Sequence, residues 1–253
     1  MLAQISSFNI TITILLLILS YLIGSIPFGV IIGKKVCNID IREHGSKNIG
    51  STNAIRILGK KVGFTVFFFD VLKGMIVILL VRNILEPLQI WQSPIDYLYF
   101  GIAAILGHVF PIYLNFKGGK AVATSLGVVL CVTPLPAILC LIAFGIIVYT
   151  IGYVSIASTV ATLTVVSSAW ILHFVGLDPT VNFLHFLVGK PTLLVCSLYT
   201  LMGVLIIVKH FKNYKRIING TDRWSSILSD CMLRLEDQSI SWINWKRSKI
   251  CMI

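Results

Sequence analysis

The chain has very few charged residues for its size. Only 12% of its 253 residues are Asp, Glu, Lys or Arg, whereas a soluble domain carries roughly 25%. Apolar residues make up 57% of the chain, and the mean hydropathy is +0.91. This shortage of charge excludes an ordinary soluble protein and indicates that most of the surface faces lipid.

Acidic residues and paired cysteines are scarce as well. The chain has 10 Asp and Glu residues against 21 Lys and Arg, and the acidic residues are too scattered to form a carboxylate cage around a metal ion. The six cysteines are widely spaced and include no CxxC pair, so we interpret them as packing thiols. We therefore expect no metal and no cofactor.

Long apolar segments are what the chain does have. A transmembrane helix needs about 20 apolar residues, and the first segment lacks the charged start and cleavage site of a signal peptide. The candidate segments are Ile10–Ile32, Val62–Val81, Tyr97–Leu114, Ala121–Thr150, Ser155–Gly176 and Pro191–Val208. Because Pro134 and Pro136 interrupt the fourth, it is either one kinked helix or two short passes.

The basic residues choose between these topologies. Eighteen of the 21 Lys and Arg residues lie in three stretches: residues 34–61, the turn at Lys117 and Lys120, and the tail from Lys209. Two passes place all three stretches on one side, as the positive-inside rule requires; a re-entrant hairpin would give the same parity. We predict an all-α polytopic membrane protein with seven transmembrane helices, two of them short. Its amino terminus lies outside, and the charge of +11 marks cytoplasmic loops instead of a nucleic-acid surface.

The first cytoplasmic loop, residues 40–61, combines glycines with polar donors. Glycines permit positive φ, and successive amides form concave anion-binding nests. The Ser-Thr-Asn run predicts the cap of a helix beginning near Ala54, whose amino end would point at a phosphate. An ordinary positive-inside loop is the alternative. The candidate donors are Ser46, Asn48, Ser51, Thr52, Asn53, Arg42 and Arg56.

Three further motifs lie on the same predicted face. Gly118-Gly119-Lys120 precedes an apolar helix and follows the logic of a phosphate-binding loop without a Walker A pattern; a lipid-headgroup anchor is the alternative. Ser155 and Ser158 open the sixth segment, where a helix cap would explain a serine equally well. His210, Asn213 and Arg216 recur at a spacing of three, on one helical face. A solvated charged face is the alternative there.

Ionisable residues inside the apolar segments have structural or functional interpretations. Asp70 and Lys73 are spaced to pair on one helical face, either as a structural brace or as functional groups. We interpret His108 as a structural hydrogen-bonding residue. His173 and Asp178 fit the HxxxxD pattern of acyl-CoA-dependent acyltransferases, but they lie at the outer end of their segment. We interpret that match as coincidence.

Together these motifs resemble the bacterial acyl-phosphate:glycerol-3-phosphate acyltransferases, the PlsY family. The similarity covers roughly Leu19–Asp222 and rests on GSIPFG, DIREHGSKNIGSTNAIRILGKK, FDVLKG, GHVFPIYLNFKGGKAVAT and KHFKNYKRIINGTD. It implies acyl transfer from acyl phosphate to the 1-hydroxyl of sn-glycerol 3-phosphate, the first step of bacterial phospholipid synthesis. The products would be lysophosphatidate and inorganic phosphate, with no acyl-CoA or acyl carrier protein used directly.

The resemblance also implies roles for individual residues. The acyl-phosphate head would be held by Ser46, Asn48, Thr52 and Asn53, and Lys120 would bridge the two phosphates. Glycerol 3-phosphate would be held by Arg56, Ser158, His210 and Asn213. The predicted catalytic residues are Lys120, Arg56, His210 and Asn213, with His210 a positioner because a substrate phosphate oxygen takes the proton. We expect the acyl chain to leave sideways, into a groove between apolar helices.

The chain departs from the family pattern at four positions. Lys47 and Ala121 stand where the family commonly has Gly, Lys209 replaces Arg, and Asp222 replaces Glu. A Cβ at Lys47 restricts positive φ.

The family also implies a cellular setting. We expect a membrane acyltransferase domain at residues 1–222 and a cytoplasmic extension at 223–253, either interfacial or disordered. The expected setting is the bacterial inner membrane, as a monomer functionally coupled to the enzyme that makes acyl phosphate. A non-catalytic transporter of phosphate-bearing lipid is the alternative, although transporters usually place their polar residues near the midplane.

Overall fold

The computed structural model describes residues 7–90, 96–175 and 191–220, and this part of the chain is built from helices without strands. The helices are α1 Ser7–Ser25, α2 Phe28–Cys37, α3 Ser51–Leu58, α4 Lys60–Leu80, α5 Leu98–Val109, α6 Val122–Val132, α7 Pro134–Ile151, α8 Val154–Val175 and α9 Leu193–Ile218. A π-helical turn, Val81–Leu85, extends α4, and a 3₁₀ turn, Ile112–Leu114, follows α5.

Five of the helical segments are long and apolar enough to cross a membrane: α1, α4 with its extension, α7, α8 and α9. Two shorter apolar segments, Leu98–Leu114 and α6, accompany them. At 1.5 Å per residue α6 covers about 16 Å, about half of a hydrocarbon core. The all-α membrane architecture is confirmed, and the count of seven passes stays a prediction.

Prolines decide where two of the predicted segments break. The segment Ile10–Ile32 is not one helix, because α1 ends at Ser25 and α2 begins after Pro27. Proline has no N–H to donate and disfavours helical backbone in the preceding residue. The second break is at Thr133, which separates α6 from α7 and confirms two helices within Ala121–Thr150. Only α6 of that pair is short.

Glycines let the helices that carry the site approach closely. A Cβ at Gly24 of α1 would lie 2.1 Å from the carbonyl oxygen of Ala104 in α5, and one at Gly127 of α6 would lie 2.1 Å from that of Val71 in α4. Small residues give membrane helices this backbone contact, since apolar burial drives little association within lipid. The outer faces carry exposed apolar side chains such as Phe68, as a lipid-facing surface requires.

Two hydrogen bonds set the depth of the helices relative to one another. Thr133, between α6 and α7, bonds the hydroxyl of Tyr199 in α9 at 2.8 Å. Near the other end of α9, Asn213 donates to Ser155 at the start of α8, also at 2.8 Å. The break between α6 and α7 therefore lies beside Tyr199 in the first part of α9, and the start of α8 lies beside Asn213 in its last part.

Candidate active site

The predicted site residues line one cavity of about 350 Å³. One end of the cavity, the polar mouth, is lined by these polar side chains. The rest of the cavity is apolar and lies between α6, α7, α8 and α9. The cavity-lining residues named by the sequence are Ser46, Asn48, Thr52, Asn53, Arg56, Lys120, Ser158, His210 and Asn213. The fold thus brings together groups from four separate parts of the chain: residues 46–56, Lys120, Ser158 and residues 210–213.

Asn53 organises the first loop from within. Its side chain is 1% exposed; Oδ1 accepts the Ser46 N–H at 2.9 Å, and Nδ2 donates to the carbonyl oxygens of Ile41, His44 and Asn48 at 2.8–3.2 Å. A side-chain amide has two N–H donors, and both are used on the loop backbone. Asn53 therefore holds the loop in shape, and because it also lines the cavity, its predicted contact with substrate stays a prediction.

The helix after this loop begins earlier than the sequence suggested. We expected a start near Ala54, but α3 begins at Ser51, and Gly50 is its N-cap without a side-chain cap. Asn48 Oδ1 instead accepts the Gly50 N–H at 2.8 Å, which orients the Asn48 amide. The hydroxyls of Ser51 and Thr52 consequently lie in the first helical turn, at its positive end, beside the cavity.

Arg42 does not line the cavity. It donates from Nε to Asp40 Oδ1 at 2.9 Å and from Nη2 to Oδ2 at 2.5 Å, and Lys34 Nζ lies 3.1 Å from Oδ2. These bonds, with Arg42 the main contributor, hold the pKa of the Asp40 carboxyl well below its usual value. We expected Arg42 to be a phosphate donor, and this expectation is corrected. Its guanidinium instead pairs with Asp40 and stabilises the base of the loop.

The Gly118-Gly119-Lys120 turn rests directly on His108. The Gly119 N–H donates to the His108 carbonyl at 3.0 Å, and a Cβ at Gly119 would lie 2.1 Å from the imidazole Nε2. Only glycine allows that approach. Ala121 follows at φ 58°, in the left-handed region, and Lys120 lines the cavity.

A buried polar group lies beneath this turn. Lys73 Nζ is 2.8 Å from Asp70 Oδ1 and donates to the Ile26 carbonyl at 3.0 Å, so the predicted pairing is confirmed. The His108 ring nitrogen Nδ1 is 3.3 Å from the Thr124 hydroxyl and 3.7 Å from Asp70. The His108 carbonyl and ring thus connect the Gly118-Gly119-Lys120 turn to an ion pair inside the helix bundle.

On the opposite wall, α8 and α9 present a second set of polar groups. His210 is 3% exposed, and its Nδ1 lies 2.8 Å from the Ile206 carbonyl. Since a carbonyl can only accept, Nδ1 carries the proton, and a neutral ring keeps Nε2 as an acceptor. Ser158 donates to the Val154 carbonyl at 2.8 Å, which leaves its oxygen lone pairs for a ligand.

Several residues that line the cavity had no role assigned in the predicted site, although Ser51, Ser155 and Arg216 belong to its motifs. Arg216 lines the cavity on the face of α9 that carries His210 and Asn213, and its three-residue spacing was the available signal. Ser51, Ser155, Asp70 and His108 line it too.

His173 belongs to another part of the molecule. Its Nδ1 lies 2.8 Å from the Pro191 carbonyl, and about 22 Å of helix rise separates it from Ser158. Asp178 lies outside the described residues. Within residues 7–90, 96–175 and 191–220, no cluster of three or more His, Cys, Asp or Glu side chains could hold a metal ion.

Comparison with known proteins gives a consistent result. The family model described as glycerol-3-phosphate acyltransferase matches residues 14–220. The glycerol-3-phosphate acyltransferase of Macrococcus caseolyticus is 43% identical over 208 residues, which cover 82% of this chain and 94% of that protein. Glycerol-3-phosphate acyltransferase 2 of Bacillus cereus is 41% identical over 214 residues, covering 83% and 93%.

Two solved structures share the fold. The crystal structure of PlsY, an integral membrane glycerol 3-phosphate acyltransferase, matches in its glycerol 3-phosphate form with a TM-score of 0.65 and 36% identity, covering 83% of this chain and 94% of that one. Its lysophosphatidic acid form matches with a TM-score of 0.63, covering 83% and 93%. With its cavity and its multi-pass helices, this chain therefore belongs to the glycerol-3-phosphate acyltransferase family, as a membrane enzyme of the PlsY type.

Proposed function

We propose that the enzyme transfers an acyl chain from acyl phosphate to the 1-hydroxyl of sn-glycerol 3-phosphate, releasing lysophosphatidate and inorganic phosphate. The observation that carries this proposal is a cavity with cationic and hydroxyl groups at one end and apolar walls at the other. That shape fits a molecule with a phosphate head and an acyl chain. The solved relatives in glycerol 3-phosphate and lysophosphatidic acid forms support the acceptor and the product.

In the proposed mechanism, Ser46, Asn48 and Thr52 hold the acyl-phosphate head on one wall, and Arg56, Ser158 and Asn213 hold glycerol 3-phosphate. Lys120 lies between the two phosphates and offsets their repulsion. Holding the acceptor hydroxyl within about 3 Å of the carbonyl carbon supplies much of the acceleration by orientation.

The bond changes then follow. The hydroxyl oxygen attacks the carbonyl carbon, the carbon–oxygen bond to phosphate breaks, and phosphate leaves with the electron pair. The hydroxyl proton passes to a phosphate oxygen. His210 positions the acceptor without taking its proton, while Lys120 and Arg56 stabilise the negative charge that develops.

The setting is part of the proposal. We place the polar mouth at the cytoplasmic face of the bacterial inner membrane, with the amino terminus outside, because the basic residues gather there. Residues 1–222 form the catalytic domain and 223–253 an extension outside the described residues. The enzyme acts as a monomer that receives acyl phosphate from the enzyme producing it.

The decisive experiment measures phosphate release by the purified protein in micelles. Acyl phosphate is supplied with and without glycerol 3-phosphate, and acyl-CoA is tested in parallel. We expect release only when both substrates are present. Lys120→Ala should lower kcat about 100-fold or more, as loss of a transition-state donor does. The matched control is Lys117→Ala in the same turn, an exposed residue outside the cavity.

Other outcomes would overturn the donor assignment. Turnover of acyl-CoA without turnover of acyl phosphate would make the chain a different kind of acyltransferase. Equal losses in the two lysine variants would remove the bridging role from Lys120.

A further inference from the structure

The apolar part of the cavity ends part-way along each of four helices. The lowest lining residues are Val129 on α6, Cys140 on α7, Val166 on α8 and Tyr199 on α9. They lie about 10 to 18 Å along their helices from the polar mouth. On each of the four helices, no described residue beyond these positions lines the cavity.

Below that depth the helices are packed against one another. Ala137, Ala169 and Cys196 are each 0% exposed and belong to the main apolar core of the described residues. Cys196 Sγ lies 3.4 Å from the Ala169 carbonyl, so α8 and α9 are in contact there. A chain that enters from the polar mouth therefore meets a closed end.

Tyr199 is the largest side chain at this end, and it is fixed in place. It is 2% exposed, and its hydroxyl is bonded at 2.8 Å to Thr133 in the break between α6 and α7. Rotation of the Tyr199 ring would break this hydrogen bond and leave a buried hydroxyl without a partner, which is energetically unfavourable. The ring is therefore a rigid stop in contact with the cavity.

The length of the apolar part matches that of a membrane lipid chain. Tyr199 lies about 16 Å along α9 from His210, and one leaflet is about 15 Å, half of a hydrocarbon core of about 30 Å. We propose that Tyr199 sets the maximum acyl-chain length that the enzyme accepts, with its ring closing the apolar cavity at the α6–α7 break. The proposal rests on the acyl-transfer function but not on which leaving group the acyl donor carries.

The test is a chain-length profile of kcat/KM. A homologous series of saturated acyl phosphates, lengthened two carbons at a time, is given to the full-length enzyme in micelles. In Tyr199→Ala we expect the maximum of kcat/KM to move to longer chains. The ratio of kcat/KM for the longest donor to that for the wild type's best donor should rise about tenfold. Val166→Phe narrows the same end and should move the maximum to shorter chains.

Two controls accompany these variants. Tyr199→Phe keeps the ring and should retain the wild-type order of chain lengths. Leu201→Ala, on the exposed lipid-facing side of α9 (67% exposed), should change neither the rate nor the order. The KM for glycerol 3-phosphate should remain at the wild-type value in Tyr199→Ala, since a change confined to the acyl chain leaves the polar mouth intact.

The overturning result is an unchanged length profile in active Tyr199→Ala and Val166→Phe, which would show that the chain leaves sideways between the helices. If Tyr199→Ala does not fold, Val166→Phe decides alone. Absence of turnover with acyl phosphate in the wild type would instead refute the proposed donor. The same length series is then read with acyl-CoA, because the closed end acts on the acyl chain whichever donor carries it.

Discussion

Replacing Lys47 by glycine should stabilise the loop between α2 and α3. Lys47 has φ 60°, in the left-handed region, where an L-residue pays roughly 1–2 kcal/mol because its Cβ approaches the backbone. Relief of this strain is partly offset, by about 0.4–1 kcal/mol, because glycine has more conformational freedom in the unfolded chain. The Lys47 side chain is exposed and lies outside the cavity, so the substitution removes no buried contact.

The expected net gain is about 1 kcal/mol, roughly a fivefold shift in the folding equilibrium. It can be measured as the free energy of unfolding in a denaturant titration of the detergent-solubilised protein. The matched control is Lys35→Gly: Lys35 is also an exposed lysine but lies in the helix α2, where glycine costs about 1 kcal/mol. The two substitutions should therefore act in opposite directions.

A destabilising Lys47→Gly would refute the reasoning, since it would mean that the side chain contributes more than its backbone strain costs. Activity gives a second check. The KM for glycerol 3-phosphate should change by no more than about twofold, because an exposed charge outside the cavity contributes 0–1 kcal/mol. A larger rise in KM would place the Lys47 ammonium on the substrate phosphate.

Three further predictions concern other parts of the molecule. Asp70→Asn leaves the Lys73 charge buried without its counter-ion and should cost about 3–5 kcal/mol of stability. Adding Lys73→Met should recover most of this stability together with activity. Recovered stability without activity would assign Asp70 to the reaction itself. His173→Ala should leave kcat and KM unchanged, because the residue lies at the far end of α8; a large loss of activity would restore it as a catalytic candidate. Asp40→Asn should cost about 1 kcal/mol at neutral pH. Because the folded-state pKa of Asp40 is lowered, that difference should persist down to about pH 4 and shrink below it; a difference that grows below pH 4 would contradict the ion pair.

Much of the architecture could be predicted from local sequence. The length of the apolar segments identified a membrane protein, and the positions of the basic residues grouped its polar motifs on one face. The pairing of Asp70 with Lys73 followed from helical spacing alone. The break after Ser25 coincides with Pro27, but the apolar run continues through it and by itself predicts one segment.

The residues that line the cavity were named from sequence motifs, but their geometry could not be predicted from them. Asn53 and Arg42 carry the same kinds of donor group as Asn48 and Arg56, and nothing in the loop sequence distinguishes them. The fold turns Asn53 inward onto three carbonyl oxygens and ties Arg42 to Asp40. Arg56 and Asn53 line the cavity, whereas Arg42 does not.

What the sequence determined by itself was therefore the membrane environment, the family and the set of residues available to the site. The tertiary structure decided which of them face the cavity, and it placed His108 beneath Gly119 and Tyr199 at the closed apolar end. The physical reason is the range of the interactions. Apolar length and charge are properties of neighbouring residues in the chain, whereas a hydrogen-bond partner or a packed floor depends on helices that are far apart in sequence.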